Sequence, residues 1–213
     1  SQLFNAQYIN CLNFVIEGGS IESDGKGTLL TTSECLLSPN RNGAWNKDQI
    51  EQYLKENLGI SRILWLDHGF LEGDDTDSHI DTLARFCPND TIAYIQCNDP
   101  KDHHYKALKD MESQLQSFRT QDNRPFRLLP LPMADEIVFD NERLPATYAN
   151  FLIINGAVLY PTYNQPINDS RTAEILTTAF PERQIIGIDC RALIKQHGSL
   201  HCVTMQYPKN VIK

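Results

Sequence analysis

No apolar run in this chain approaches the roughly 18 residues of a membrane-crossing helix, and no signal peptide is visible at its N-terminus. A cytoplasmic protein that does not engage a membrane is the expectation. The chain starts Ser1-Gln2-Leu3-Phe4, without an initiator Met, so the true start is left open. Positive charge is short as well: 19 Lys and Arg stand against 27 Asp and Glu, a formal net charge of -8. Phosphate backbones are held by clustered Lys and Arg, so nucleic acid is not expected as a partner. The acidic balance suits cationic ligands, and it equally suits plain solubility.

Paired cysteines are missing too. Cys11, Cys35, Cys87, Cys97, Cys190 and Cys202 include no CxxC and no repeated spacing. They read as reduced buried thiols, with room for one reactive thiol among them. No C-x₂₋₄-C meets a matching H-x₃₋₅-H, so no zinc site is expected, and no cofactor either. An EF-hand loop beginning at Asp75 would need Gly where Ile80 stands and Glu where Phe86 stands. There is no GxxxxGK[ST] for nucleotide phosphates and no GxSxG for a hydrolase elbow. Low-complexity stretches are also absent.

What is present is a recurring α/β pattern over 213 residues. Residues 12–16 and 27–32 read as strands, Asn46 or Asp48 caps a helix over residues 49–58 with Gly59 as its stop, and residues 62–66 return as a buried strand. The order recurs. Residues 82–86 and 91–96 flank Pro88-Asn89-Asp90, and a helix over 103–119 carries Leu108, Met111, Leu115 and Phe118 near the helical period. Residues 126–131 close that unit. A third pass has strands around the hairpin signal Asn155-Gly156, a helix capped by Asp169, and a strand over 184–188. A fourth is cut short after a strand over 200–206. Three ββαβ units plus a remnant are a repeat signature, and such repeats must stack or close to bury their faces. Residues 134–143 read as a long functional loop. No domain boundary is visible, so residues 1–213 are taken as one unit.

Three stretches carry chemistry. In Asp74-Asp75-Thr76-Asp77-Ser78-His79-Ile80-Asp81, an extended backbone would put Asp77, His79 and Asp81 on one face. Glu17 ends an apolar run at Gly18-Gly19, where another backbone or a ligand can come close. Cys202 sits in Gly198-Ser199-Leu200-His201-Cys202-Val203-Thr204. On a strand, His201 would point away from Cys202, so its base must come from elsewhere, and His79 is the candidate. The ordinary alternatives are a solvated acidic loop, a turn with an exposed Glu, and a structural thiol.

Together with Phe14-Val15-Ile16-Glu17-Gly18-Gly19-Ser20, Gly27-Thr28-Leu29-Leu30-Thr31-Thr32, Leu37-Ser38-Pro39-Asn40-Arg41-Asn42 and Pro145-Ala146-Thr147-Tyr148-Ala149-Asn150-Phe151, these stretches resemble the guanidino-modifying superfamily across residues 12–208. The likeness is strongest to agmatine deiminase and the Porphyromonas-type peptidylarginine deiminase. The resemblance implies a pentein β/α-propeller, present here as an incomplete ring of about three blades plus a remnant. It implies Cys202 as nucleophile, His79 as general acid/base and Glu17 as the group that orients the imidazole. Asp81 would grip the guanidinium, with Asn150 and Asp77 as further substrate-binding residues. The family pattern has Gly at Ser78, Asn at Thr82 and Asn at Ser199, and a second guanidinium-binding aspartate on an N-terminal motif that this chain lacks. The implied reaction is hydrolysis of agmatine to N-carbamoylputrescine and ammonia. Peptidyl-arginine as substrate, amidino transfer, and a non-catalytic fragment binding cationic ligands are the alternatives. An incomplete ring with open sheet edges would favour a homo-oligomer or association with the missing N-terminal part.

Overall fold

The computed structural model describes residues 3–4, 9–207 and 210–212. Ser1 and Gln2, half of the start noted above, lie outside the described residues. The first unit begins with β1 (Ile21–Ser23) antiparallel to β2 (Thr28–Thr32), with Ile21 opposite Thr31. Two short helices follow, α1 (Ser33–Leu36) and α2 (Pro39–Asn42), then α3 (Lys47–Leu58). Asn46 and Gln49 form a reciprocal capping box at the start of α3, and Gly59 ends it at φ 65°. β3 (Arg62–Leu66) then returns parallel to β2, pairing Thr28 with Arg62.

The second unit repeats the plan. β4 (Ala84–Cys87) and β5 (Thr91–Gln96) are antiparallel, α4 (Tyr105–Ser117) crosses over, and β6 (Arg127–Pro132) runs parallel to β5. The β4–β5 turn places Asn89 and Asp90 at φ 59° and 54°, a left-handed conformation that short polar side chains tolerate. After the small hairpin β7 (Val138–Phe139) and β8 (Glu142–Arg143) comes the third unit. It comprises β9 (Leu152–Ile154), β10 (Ala157–Thr162), α5 (Pro166–Ala179) and β11 (Gln184–Asp189), again antiparallel then parallel. The fold is thus mixed α/β with three small ββαβ sheets, each with its middle strand second in sequence.

Burial follows from this plan. β2 is buried along its whole length, and α4 turns Leu108, Met111 and Leu115 inward, the face its periodicity marked. The larger core joins Leu30, Leu66, Ile80, Leu83, Ile95, Tyr148 and Phe151 across the three units. A smaller one packs Phe14, Leu29, Cys35, Leu36, Ile50, Leu54 and Trp65 beneath α3. Among the described residues no helix is long and apolar enough to cross a membrane.

Several local expectations are corrected. Residues 12–16 form no strand. Asp169 is not a cap: it lies inside the first turn of α5, and its carboxylate accepts from the backbone N–H of Tyr163 and Gln165 and from the Tyr148 hydroxyl. Residues 134–137 are irregular as expected, but 138–143 form the β7–β8 hairpin, whose Arg143 donates to Asp102, and none of 134–143 lines the main cleft. The expected strand over 200–206 is a 3-10 turn, His201–Val203, followed by backbone that joins no strand over 204–207. Its first amides have another acceptor, which is part of the site.

Candidate active site

The segments entering the first strand of each unit converge. The 3-10 turn Gly18–Ser20 leads into β1 and touches the 3-10 turn Ile80–Thr82, which leads into β4. Asn150 stands just ahead of β9, and the His201–Val203 turn follows β11. Between them lies a cleft of about 950 Å³ lined by Glu17, Gly19, Glu22, His79, Asp81, Arg85, Gly198, His201 and Cys202, among others. The threonines of β2 hold two of its walls: Thr31 Oγ1 donates to Ser20 O (2.7 Å) and Thr32 Oγ1 to Ser78 O (2.8 Å).

Asn150 organises the Cys202 side. It is fully buried. Its Oδ1 accepts from the backbone N–H of His201 at 2.7 Å and of Cys202 at 3.4 Å. Its Nδ2 lies 3.4 Å from Cys202 Sγ and donates to Asp81 O at 3.4 Å. This single amide takes the place of the strand ladder expected for residues 200–206. Gly198 backs the turn, since a Cβ there would come 3.0 Å from Cys202 Cβ. Cys202 is exposed as a residue, but its sulfur points inward, 3.9 Å from Asp81 Oδ2. Burial of the sulfur and, next, the negative charge of Asp81 push its thiol up to about 11.

Asp81 is buried, and its two oxygens differ. Oδ2 lies 2.7 Å from His201 Nδ1. Oδ1 is buried with no hydrogen-bond partner, a costly condition for a carboxylate oxygen. His79 is also buried, and its Nε2 makes no hydrogen bond; Glu17 Oε2 lies 3.5 Å from it. Gly19 fits against both residues. A Cβ there would come 2.6 Å from His79 Nδ1 and 2.9 Å from Asp81 Oδ2, so only glycine allows this approach.

The acidic stretch is not extended. Asp77 and Ser78 take φ 57° and 60°, and Asp74 accepts from Thr76 Oγ1 (2.6 Å) and Ser78 N (2.8 Å), curling the loop around its carboxylate. Asp77 is therefore turned away from the cleft that His79 and Asp81 line. It receives Arg41 Nη1 at 2.6 Å and faces a second cavity with Glu34 and Asp67. The Arg41 hydrogen bond holds its carboxyl below the usual range.

Reading the sequence locally missed four partners. Arg41, on α2 rather than in a loop, donates through Nε to both oxygens of Glu17 (3.0 and 2.8 Å) and through Nη2 to Thr76 O (2.9 Å). In an acidic chain, an Arg within a Pro-Asn-Arg-Asn loop was the available signal. His201 reaches the site because a 3-10 turn does not alternate its side chains as a strand does. Glu22 and Arg85 form a buried pair in the cleft wall, Nε to Oε2 at 2.8 Å. The three departures from the family pattern all find partners: Ser78 Oγ donates to Glu34 (3.1 Å), Thr82 Oγ1 to His79 O (2.8 Å), and Ser199 Oγ pairs with the Tyr163 hydroxyl (2.9 Å). Ser78 holds the left-handed φ for which glycine is the usual choice.

A thiol, an imidazole and buried carboxylates gathered in one cleft of ββαβ units define the class: a mixed α/β protein with a cysteine–histidine–carboxylate site. Within that class, the chain belongs to the Porphyromonas-type peptidyl-arginine deiminase family, whose model matches residues 1–208. A candidate arginine deiminase of Porphyromonas gingivalis, known by crystal structure, is 57% identical with a TM-score of 0.93, covering 95% of this chain and 59% of that one. The agmatine deiminase of C. jejuni, solved with substrate bound, is 46% identical with a TM-score of 0.84, covering 89% of this chain and 55% of that one. The agmatine deiminase of Pseudomonas syringae pv. tomato is 35% identical over 213 residues, 92% of this chain and 57% of the relative. The chain spans a little under three fifths of the length of these relatives.

Proposed function

We propose that this chain carries the thiol half of a deiminase site that hydrolyses a guanidino group, with agmatine as substrate and N-carbamoylputrescine and ammonia as products. The observation that carries the reading is the orphan oxygen of Asp81. A buried carboxylate oxygen without a donor, on a group whose other oxygen lies 3.9 Å from a thiol sulfur, suits a planar cation rich in N–H groups. Agmatine is the substrate proposed because relatives at 35% and 46% identity are agmatine deiminases; the structure at 57% identity is a candidate arginine deiminase and the family model a peptidyl-arginine deiminase, so peptidyl-arginine is assayed beside it.

In this reading Asp81 accepts from the guanidinium and fixes its central carbon over Cys202. The Cys202 thiolate adds to that carbon. His79 donates a proton to one amino group, the C–N bond breaks, and ammonia departs, leaving an amidino-thioether. His79 then takes a proton from water, the hydroxide adds to the same carbon, and the C–S bond breaks to release the ureido product and the thiol. Glu17 keeps the imidazole in place from 3.5 Å, itself clamped by Arg41. Asn150 sets the Cys202 turn. The three ββαβ units are then consecutive blades of a pentein ring in one catalytic unit, with the outstanding blades and a second carboxylate supplied by a further segment or another copy. A cytoplasmic setting fits the reduced thiol.

The test is ammonia release from agmatine, with N-carbamoylputrescine identified by mass. Cys202→Ala is expected to abolish both. No ammonia from agmatine or from peptidyl-arginine overturns the reading. Gly19→Ala is expected to lower turnover about a hundredfold, because it displaces His79 and Asp81 by a fraction of an ångström or more. Gly18→Ala, where an added carbon meets nothing within 4 Å, is expected to keep most of the turnover. Equal rates for the two variants would remove Gly19 from the argument.

A further inference from the structure

Cys35 has no part in the reaction just described, yet it lies beside Glu17 and His79, which do. Glu17, Cys35 and His79 come from three separate segments: the entry to β1, helix α1 and the entry to β4. One carboxylate oxygen, the Cys35 sulfur and one imidazole nitrogen all lie within 4.8 Å of one another. Cys35 is fully buried and His79 is 8% exposed. His79 Nε2 is buried without any hydrogen bond, although it lies 3.5 Å from Glu17 Oε2. A buried ring nitrogen with an open lone pair or proton, beside a thiol and a carboxylate, lacks the partner that such a group normally has.

We infer that Glu17, Cys35 and His79 form a zinc-binding site. The donor set decides the metal. One sulfur, one nitrogen and one oxygen suit a borderline-soft tetrahedral ion, whereas Mg²⁺ and Ca²⁺ take oxygen cages. Zinc bonds of about 2.0–2.3 Å place tetrahedral ligands about 3.5 Å apart, so separations of up to 4.8 Å need to contract by up to about 1.3 Å. Three protein ligands leave a fourth position for water. On coordination the Cys35 thiol proton leaves to solvent, and the thiolate is held by the ion. Arg41 binds both Glu17 oxygens through one N–H, which orients the carboxylate while leaving a lone pair on each oxygen. Asp77 offsets the Arg41 charge at 2.6 Å. Cys202 is not a ligand. A zinc ion here occupies the imidazole while leaving the other thiol free, so the site is inhibitory. That last consequence rests on the role given to His79 under the proposed function, whereas metal binding does not.

Cobalt(II) and zinc titrations separate the two. Wild type and Cys202→Ser are expected to bind one equivalent of cobalt with a thiolate-to-metal charge-transfer band, and zinc is expected to displace it. Cys35→Ser is expected to lose the band and to bind zinc at least about tenfold more weakly, with circular dichroism reporting its fold. If Cys35→Ser and Cys35→Ala both misfold, X-ray absorption of the zinc complex of Cys202→Ser is expected to count one sulfur at about 2.3 Å. A band that survives in Cys35→Ser, a band lost in Cys202→Ser, or zinc bound without sulfur overturns the site. Zinc binding as described but with unimpaired agmatine turnover leaves the site standing and refutes the role given to His79.

Discussion

In Asp81→Asn protein, Cys202 is expected to react with iodoacetamide at pH 8 about tenfold or more faster than in wild type, while agmatine turnover disappears. The two effects run in opposite directions because Asp81 does two things. With its thiol near 11, about one Cys202 in a thousand is ionised at pH 8. Burial is the larger cause of that shift and the Asp81 charge the next. Two like charges about 4 Å apart repel by about 4 kcal/mol at an effective dielectric of 20, and water in the open cleft reduces this. Even a third of it is about one pKa unit, a factor of ten in thiolate. Removing the charge therefore frees the nucleophile and at the same time removes the acceptor for the guanidinium.

The same electrostatics predict that a bound guanidine, by neutralising Asp81, lowers the alkylation pH midpoint in wild type but not in Asp81→Asn. The raised thiol pKa puts reactivity on the alkaline side, so the ligand moves the profile toward neutral pH. Alkylation mapped by mass to Cys202 as a function of pH reads this directly. An Asp81→Asn rate equal to wild type, or a profile indifferent to ligand, counts against the assignment of Asp81.

Arg85→Met is expected to destabilise the fold by about 3–5 kcal/mol. Arg85 is 4% exposed and Glu22 is 8% exposed, and the guanidinium also donates to Phe151 O and, at 3.4 Å, to Ala149 O. It lies 4.9 Å from the Phe151 ring centroid as well. Without it, the Glu22 carboxylate stays buried with only the Phe86 amide at 3.0 Å. At about 2–4 °C per kcal/mol for a chain of this size, the thermal midpoint falls by about 10 °C. Adding Glu22→Gln recovers much of the loss, because the cost lies in the stranded charge rather than in the pair itself. Urea melts of the two variants decide it; Arg85→Met within 1 kcal/mol of wild type would show that water reaches Glu22.

The repeat was legible because its signals are local. The α4 stripe of Leu108, Met111 and Leu115, the Asn155-Gly156 turn and the Asn46–Gly59 limits of α3 each depend on residues a few positions apart. Glu17, His79, Asp81, Asn150 and Cys202 were legible as motifs. Their gathering was implied by the family resemblance, whereas the turning away of Asp77 was not legible, because it depends on two left-handed residues and an arginine 36 positions upstream. The 200–206 error has the same origin. A short apolar run read as a strand, but a strand needs a ladder partner, and Asn150 offered the amides of His201 and Cys202 a different acceptor.

By itself, the sequence determined the ββαβ plan of the second and third units, the inward face of α4, the turns at Asn89-Asp90 and Asn155-Gly156, and the identity of the thiol, imidazole and carboxylates, all properties of side-chain chemistry and short spacing. Tertiary structure alone decided which of those groups meet. The Asp81–His201 pair closes over 120 positions, Arg41 selects Glu17 and Asp77, and Cys35 comes up beside His79. The physical reason is that pairing, desolvation and charge depend on distance in space, and a linear pattern carries no term for what the fold brings within a few ångströms.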